Sequence, residues 1–544
     1  MMMRLLAVVL PLLSSSGLAL GRLPDGRLHG NAPPRPGIPR IAAPAQGVQH
    51  ASSAATIPPY NTTYFFDQLI DHNDPSLGTF QQRYWHTWEY YESGGPIILL
   101  TPGEQNAEGF DGYLTNLTIN GKIAQQEHGA AIVIEHRFYG LSNPYNNLSV
   151  ASFKYHTIQQ GIDDLEYFAK NVKLPMPGGD AVAPGQAPWI LIGGSYSGAL
   201  TSFTMVNKPG LFWAGYASSA TVQNIVDFWG YFEPIRQSMP KNCSADVEAV
   251  IAHFDDVFEN GTQSEIDALK DAYGMANVTH LDDVTGALRN NLWDWQDLDP
   301  SSGPNTKFFR FCDALEVKDG VSAPESGWGA DHAVSAWGSY FKNTYLPKLC
   351  GTVDAEDCLS TYLSNQTFWT SIDVDNSQRS WSWIVCNEVG FLQVGAPTDK
   401  PTLVSRLNTV ATEARQCQEQ FPAAWSSTPT IDVEKTNAAY HGWNVTVDRL
   451  FFANGQRDPW REATLSADGV NVQSTSSQVV AVSDGFHCSD LLTRNARVDD
   501  TILEVHTQAL ASMKTWLADW TPTSSKRELD GTVYKRSYAI KREE

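Results

Sequence analysis

Three residues of this 544-residue chain have the types and surroundings that acyl transfer needs: Ser195, Asp458 and His487. Ser195 sits in LIGGSYSGAL, residues 191–200, where an aliphatic run gives way to small residues. A serine hydroxyl is a weak nucleophile until a base takes its proton, and the base needs an acid to orient its ring. A sharp strand–turn–helix exposes such a serine, and small flanking residues let strand and helix approach. Gly193, Gly194, Ser197 and Gly198 meet that requirement, although Ser197 stands where G-x-S-x-G has its second glycine. Taken alone, GGSYSG reads equally well as a glycine-rich turn without chemistry.

The partners must come from elsewhere, each just past a late strand and in the order Ser, Asp, His. Asp458 follows RLFFANG, and His487 follows QVVAVSDG. Asp484 and Asp490 compete as the acid but share the loop of His487 itself. His136, in EHRFYG, is a second candidate base; it precedes Ser195, the wrong order, and is read as structural or supporting. The backbone N–H of Tyr196, at the helix start, is placed to meet an oxyanion. No H-E-x-x-H, P-loop, dinucleotide or EF-hand pattern occurs, and the His, Cys and carboxylate residues lack metal-ligand spacing, so no cofactor and no metal is expected.

The elements that must position these groups alternate strand and helix. Residues 96–104 and 130–140 are apolar runs ending in turn-like residues, as buried parallel strands do. Ile158, Ile162, Leu165 and Phe168 then share one helical face. Residues 188–194 form a buried strand, SYSGALTSFTMV a helix, and residues 212–222 another strand. From 226 to 430 charged helical stretches, tryptophans and most cysteines replace the short aliphatic strands. The earlier rhythm resumes at 449–460 and 477–487 and ends in a helix with Val498, Ile502, Val505, Ala509, Met513 and Trp516 on one face. The fold class is therefore α/β: one domain, 59–225 plus 431–522, interrupted by a mostly helical insert.

The N-terminus carries a basic Arg4, an apolar run over residues 5–13 and small residues at Gly17 and Ala19, which reads as a signal peptide, 1–19. No segment is long and apolar enough for a membrane span. Residues 20–58, rich in Pro, Gly and Ala, read as a propeptide or flexible arm. Residues 523–544 are a basic tail with three Lys-Arg pairs, either solvated or a substrate for dibasic processing. Eight N-x-S/T sequons support export: Asn61, Asn116, Asn147, Asn242, Asn260, Asn277, Asn365 and Asn444. Seven cysteines then read as disulfide partners, with at least one left over. A net charge of −22 argues against nucleic acid as partner and is compatible with work in acid.

GGSYSG, NGQRDPW and DGFHCSDL together resemble the catalytic segments of the serine peptidase family of lysosomal Pro-X carboxypeptidase, dipeptidyl peptidase II and the fungal acid prolyl endopeptidases. FDQLIDHNDPSLGTFQQRYW, LTPGE, EHRFYG and WSWIVCNEVGF match further family segments in order, so the resemblance spans about residues 60–520. It implies an α/β-hydrolase fold whose helical insert caps the site, with Ser195 as nucleophile, His487 as base and Asp458 as its orienting acid. It also implies a second oxyanion donor near Gly103, a proline pocket at Trp460, and contributions from Trp381, Trp383 and Glu388. Within the insert it suggests a disulfide at Cys386, with Cys243 as a partner. Ser197, Ala199 and Cys488 depart from the animal GGSYGGM form and from the second His that Pro-X carboxypeptidase carries. Both departures point to the fungal endopeptidase branch.

The function read from all this is a secreted serine peptidase that cleaves after proline in peptides or proteins, as an endopeptidase at acid pH. A Pro-X carboxypeptidase or dipeptidyl peptidase stays open, and so does the vacuole or lysosome as the location. So does a catalytically inactive hydrolase fold used as a secreted binding module.

Overall fold

The computed structural model describes Leu23, residues 27–44 and residues 57–523. The expected signal peptide and the Lys-Arg pairs of the tail lie outside the described residues. Eight strands form the central sheet: β1 Thr63–Leu69, β2 Thr79–Thr87, β3 Ile97–Leu100, β4 Ala130–Ile134, β5 Trp189–Gly194, β6 Ala214–Ser218, β7 Leu450–Gly455 and β8 Gln478–Ser483. Their order across the sheet is β1-β2-β4-β3-β5-β6-β7-β8. β2 runs antiparallel to β1 and β4, and every pairing from β4 to β8 is parallel. This is the α/β-hydrolase sheet.

Side chains of a strand alternate between faces, and here both faces are covered. Ile97 and Leu99 of β3 join one core with α2 (Ile158–Asn171) and α3 (Tyr196–Asn207). Ile98 and Leu100 join the other with α1 (Ile119–Glu127) and α4 (Asp500–Ala518). α4 begins two residues later than its apolar face suggests. The Asp499 carboxylate accepts the N–H groups of Thr501 and Ile502 as N-cap, which leaves Val498 outside the helix and 61% exposed.

EHRFYG, directly after β4, is a bracing loop. Glu135 accepts from Arg83 Nη2 at 2.6 Å and from the backbone N–H of Ala107, Leu141 and Ser142. Arg137 Nε donates to Asp164 of α2 at 2.7 Å, which ties the loop to the helix behind β5.

Between β6 and β7 the chain builds a helical cap. Cys243–Cys312 links helices Lys241–Asn260 and Lys307–Glu316, and Cys350–Cys358 closes a short loop. Cys386 pairs with Cys417, not with Cys243: their α-carbons stand 5.9 Å apart, while Cys243 is already joined to Cys312. Cys488 is the free, buried thiol. Ile225–Asp227 and Gly390–Leu392 pair in parallel and bring Phe391 of the cap toward the end of the main sheet. None of the eight sequon asparagines is buried.

Candidate active site

Ser195 stands between β5 and α3 with φ 62° and ψ −125°, a conformation that non-glycine residues rarely hold. The neighbouring residues explain how it is held. A Cβ on Gly193 would lie 2.0 Å from the Ser197 carbonyl oxygen, so strand and helix touch there. A Cβ on Gly198 would lie 2.7 Å from the Ser218 carbonyl oxygen of β6. The glycine displaced in the sequence thus sits where α3 meets the neighbouring strand. Ser197 is accommodated because its hydroxyl turns back on the elbow, donating to the Gly194 carbonyl at 2.8 Å and accepting from the Gly194 N–H at 2.9 Å.

The loops after β7 and β8 bring the partners to this turn. His487 Nε2 lies 2.8 Å from Ser195 Oγ, and His487 Nδ1 lies 2.8 Å from Asp458 Oδ1. The same Asp458 oxygen accepts the Trp460 N–H at 2.8 Å, so the loop clamps its own acid. Nδ1–H donates to the carboxylate, leaving Nε2 to take the serine proton. All three side chains are buried. The competing acids are otherwise engaged: Asp490 accepts from Tyr216 and Ser218 hydroxyls at 2.7 Å each, and Asp484 is exposed.

Burial by itself would lower the His487 pKa; the Asp458 carboxylate reverses this and holds it well above the usual 6.5. Burial pushes the Cys488 thiol up, so the cysteine beside the histidine carries no charge into the site at neutral pH. Burial also lifts Glu104 to about 8 and Asp490 to about 6.

An aromatic cavity of about 60 Å³ has Trp381, Phe391 and Trp460 among its walls, and Trp460 is the wall residue that connects it to the triad. The Trp460 ring centroid is 6.3 Å from that of His487 and 5.4 Å from that of Phe391. Gln296 of the cap fixes the indole by accepting from Nε1 at 2.7 Å. Trp381 packs edge-on against Tyr196, with centroids 5.3 Å apart.

The family described as serine carboxypeptidase S28 matches residues 68–510. The chain belongs to this S28 serine peptidase family. It is 36% identical to serine protease vicPb of Bipolaris victoriae over 484 residues, 85% of this chain and 90% of that one. It is 31% identical to a probable extracellular serine carboxypeptidase of Arthroderma benhamiae, over 75% of this chain and 59% of that one. It is 23% identical to human thymus-specific serine protease, over 88% and 90% of the two chains. Among solved structures, proline iminopeptidase of Mycobacterium smegmatis aligns with a TM-score of 0.32 at 11% identity, over 82% of this chain and 100% of that one.

The remaining expected site residues of this S28 peptidase divide into two groups. The Tyr196 N–H, at the start of α3, donates to the Pro36 carbonyl at 3.5 Å. Gly103 lies against the elbow, where an added Cβ would stand 3.1 Å from Ser197 Cβ, but its N–H donates to Thr101 Oγ1 at 3.3 Å. Trp383 and Glu388 do not line the aromatic cavity, a correction to the sequence reading. The Trp383 ring stacks on Phe153, 5.4 Å between centroids, and its Nε1–H donates to the His156 carbonyl at 3.1 Å. Glu388 turns to the start of α2, where its carboxylate accepts the Ile158 N–H at 3.1 and 3.2 Å. Phe391 and Gln296 were not singled out in the sequence: Phe391 closes the segment WSWIVCNEVGF but rides on a three-residue strand, and Gln296 sits on a cap turn with no motif around it.

Proposed function

We propose that this S28 peptidase hydrolyses peptide bonds on the carboxyl side of proline, as a secreted endopeptidase. Ser195 attacks the prolyl carbonyl, His487 takes the hydroxyl proton and returns it to the leaving amine, and Asp458 holds the ring and stabilises the imidazolium. The Tyr196 N–H receives the developing oxyanion, and water then releases the acyl group by the same route reversed. The observation that carries the reading is the set of aromatic rings at the triad: Trp460 against His487, Phe391 against Trp460, and Trp381 against Tyr196. A proline has a compact apolar ring and no N–H, so flat apolar walls recognise it better than hydrogen-bonding groups. Three disulfides and eight unburied sequons support an oxidising, extracellular setting.

The low isoelectric point of about 4.9 favours an acid working range. The electrostatics of His487 pull the other way, because only its neutral form accepts the serine proton. We infer that kcat/KM climbs as pH rises through the His487 pKa. A pH–rate profile checks this: a plateau at pH 4–5 that falls toward neutrality overturns it.

The specificity test compares doubly blocked peptides with internal proline or alanine. Cleavage after proline at least about tenfold faster than after alanine supports the reading. Cleavage only when the carboxyl terminus is free supports instead a Pro-X carboxypeptidase. That alternative draws on Arg494, a cation on the wall of the cavity that holds His487. Fluorophosphonate labelling separates both from an inactive binding module: label on wild type and none on Ser195→Ala marks an enzyme.

A further inference from the structure

The segment 29–41 crosses the mouth between cap and sheet. On the cap side the Gly30 N–H donates to the Cys358 carbonyl at 2.9 Å, and Asn31 Nδ2 donates to the Asp283 and Leu359 carbonyls at 3.0 and 2.8 Å. On the sheet side Gln105 Nε2 donates to the Ile38 carbonyl at 3.2 Å, Tyr113 Oη to the Pro39 carbonyl at 2.8 Å, and the Gly112 N–H to the Ile41 carbonyl at 2.9 Å. Between these anchors the backbone runs past the triad. Gln296 Nε2, on the residue that fixes Trp460, donates to the Arg35 carbonyl at 2.9 Å, and the Tyr196 N–H donates to the Pro36 carbonyl at 3.5 Å.

The side chains keep the same direction. Pro33 and Pro34 stand on the wall of the aromatic cavity, together with Trp381 and Trp460. Gly37, Ile38 and Pro39 stand on the wall of the cavity that holds His487. Ile38 is buried against the elbow, where a Cβ on Gly194 would lie 2.5 Å from Ile38 Cγ2.

We propose that residues 31–41 fill the cleft as a substrate does, that they close the enzyme while they stay there, and that Ser195 opens it by cutting the Pro36–Gly37 bond. The register follows from the contacts. The carbonyl that accepts from the oxyanion donor belongs to the residue being acylated onto serine, and that residue is Pro36. The residue after it, Gly37, lies on the His487 side, where the leaving amine must collect its proton. Among the segment's four prolines only Pro36 has its carbonyl on the Tyr196 N–H. This inference rests on the proposed post-proline reading and deepens it by naming one substrate sequence, P-R-P|G-I.

The step balances without any further reactant. Ser195 Oγ bonds to the Pro36 carbonyl carbon, the carbon–nitrogen bond to Gly37 breaks, and His487 passes the serine proton to the Gly37 amine. Water then adds to the acyl carbon and leaves Pro36 with a carboxylate. A tethered segment acts at an effective concentration on the order of millimolar, so even weak contacts keep the cleft shut. After the cut, the piece ending at Pro36 has lost its tether and leaves, which frees the Tyr196 N–H and the acyl side of the cleft. Gly37 becomes a free terminus that no longer spans it.

The test uses the full chain as wild type, Ser195→Ala and Pro36→Ala, with N-terminal sequencing and the rate of fluorophosphonate labelling as readouts. The expected wild-type product begins at Gly37, Ser195→Ala keeps its residues before Gly37, and Pro36→Ala stays uncut and labels about tenfold or more slower than matured wild type. A synthetic peptide of residues 29–41 added to matured enzyme is expected to be cut once, after Pro36, and to slow labelling while it lasts. A Gly37 terminus in Ser195→Ala overturns self-cleavage. Uncut Pro36→Ala that labels as fast as matured wild type, or a peptide that is neither cut nor competes, overturns the plug while leaving post-proline cleavage standing. Matured enzyme that labels but shows no preference for proline, or wild type that never labels, overturns the proposed function and this inference together.

Discussion

Two buried histidines flank the same elbow, and their surroundings give them opposite chemistry. His487 has a carboxylate on Nδ1 and Ser195 Oγ on Nε2, each at 2.8 Å. His136 has the Arg137 carbonyl on Nδ1 at 2.8 Å and the Tyr196 hydroxyl on Nε2 at 3.4 Å. Burial lowers the His136 pKa to about 4, and its hydrogen bond to a carbonyl does not offset that. For His487 the Asp458 carboxylate outweighs burial and shifts the pKa upward. A buried imidazole becomes a usable base when a fixed negative charge shares its site, because the carboxylate stabilises the imidazolium that forms during reaction. His136 is a neutral hydrogen-bonding ring that positions Tyr196 and packs where α2 carries Gly161, at which a Cβ would lie 2.9 Å from its Nε2.

The largest expected effect breaks this comparison outright. His487→Ala lowers kcat by about 10⁶, as loss of a triad base does, whereas His136→Ala changes it within about tenfold. Steady-state kinetics on a prolyl peptide measure both, and a comparable loss in the two variants would erase the distinction.

Next comes the charge itself. Asp458→Asn lowers kcat by about 10⁴ and, by removing the carboxylate that raises the His487 pKa, moves the acid limb of kcat/KM to lower pH. A limb that stays in place would mean that another group sets it. Smaller is the effect of the wall beside the triad. Trp460→Ala lowers kcat/KM for a prolyl peptide by about 100-fold and for the alanyl analogue by much less.

Glu388 sharpens the comparison from the carboxylate side. Burial pushes its pKa up to about 7, against the pull of the Ile158 N–H, so the folded state holds a proton that the unfolded chain has lost above about 4.5. That contribution to stability is full below the unfolded value and disappears as pH rises through about 7. Glu388→Gln keeps the acceptor and removes the titration. Its melting temperature is expected to fall less between pH 4.5 and 8 than that of the wild type, by a few degrees. The smallest effect is that of Ser197→Gly, which removes the two hydroxyl contacts to Gly194 and costs about 1 kcal/mol of stability in a denaturant titration.

Much of the α/β core was legible because buried parallel strands read as short aliphatic runs and their helices as 3.6-residue stripes. β1 and β2 were not, since β1 lies at the sheet edge with mostly half-buried residues and neither strand is a clean aliphatic run. That a helical cap interrupts the α/β core showed in composition, but its disulfides did not. Cys386 has six other cysteines to choose from, and only the approach of helix Val410–Gln420 brings Cys417 to it. Trp381 and Trp383 are two residues apart on one short helix, so they leave it in different directions. One reaches Tyr196, and the other turns to Phe153.

By itself the sequence determined the chemistry on offer: a serine at a small-residue turn, an acid and a histidine each past a strand, and an arm dense in proline. Those are local properties of residue type and spacing, and they survive without knowledge of the fold. The tertiary structure decided which histidine meets a carboxylate, which tryptophans wall the cavity, and which proline carbonyl the Tyr196 N–H faces. Each of these joins residues far apart in the chain, and such contacts exist only after the sheet, cap and arm have packed together.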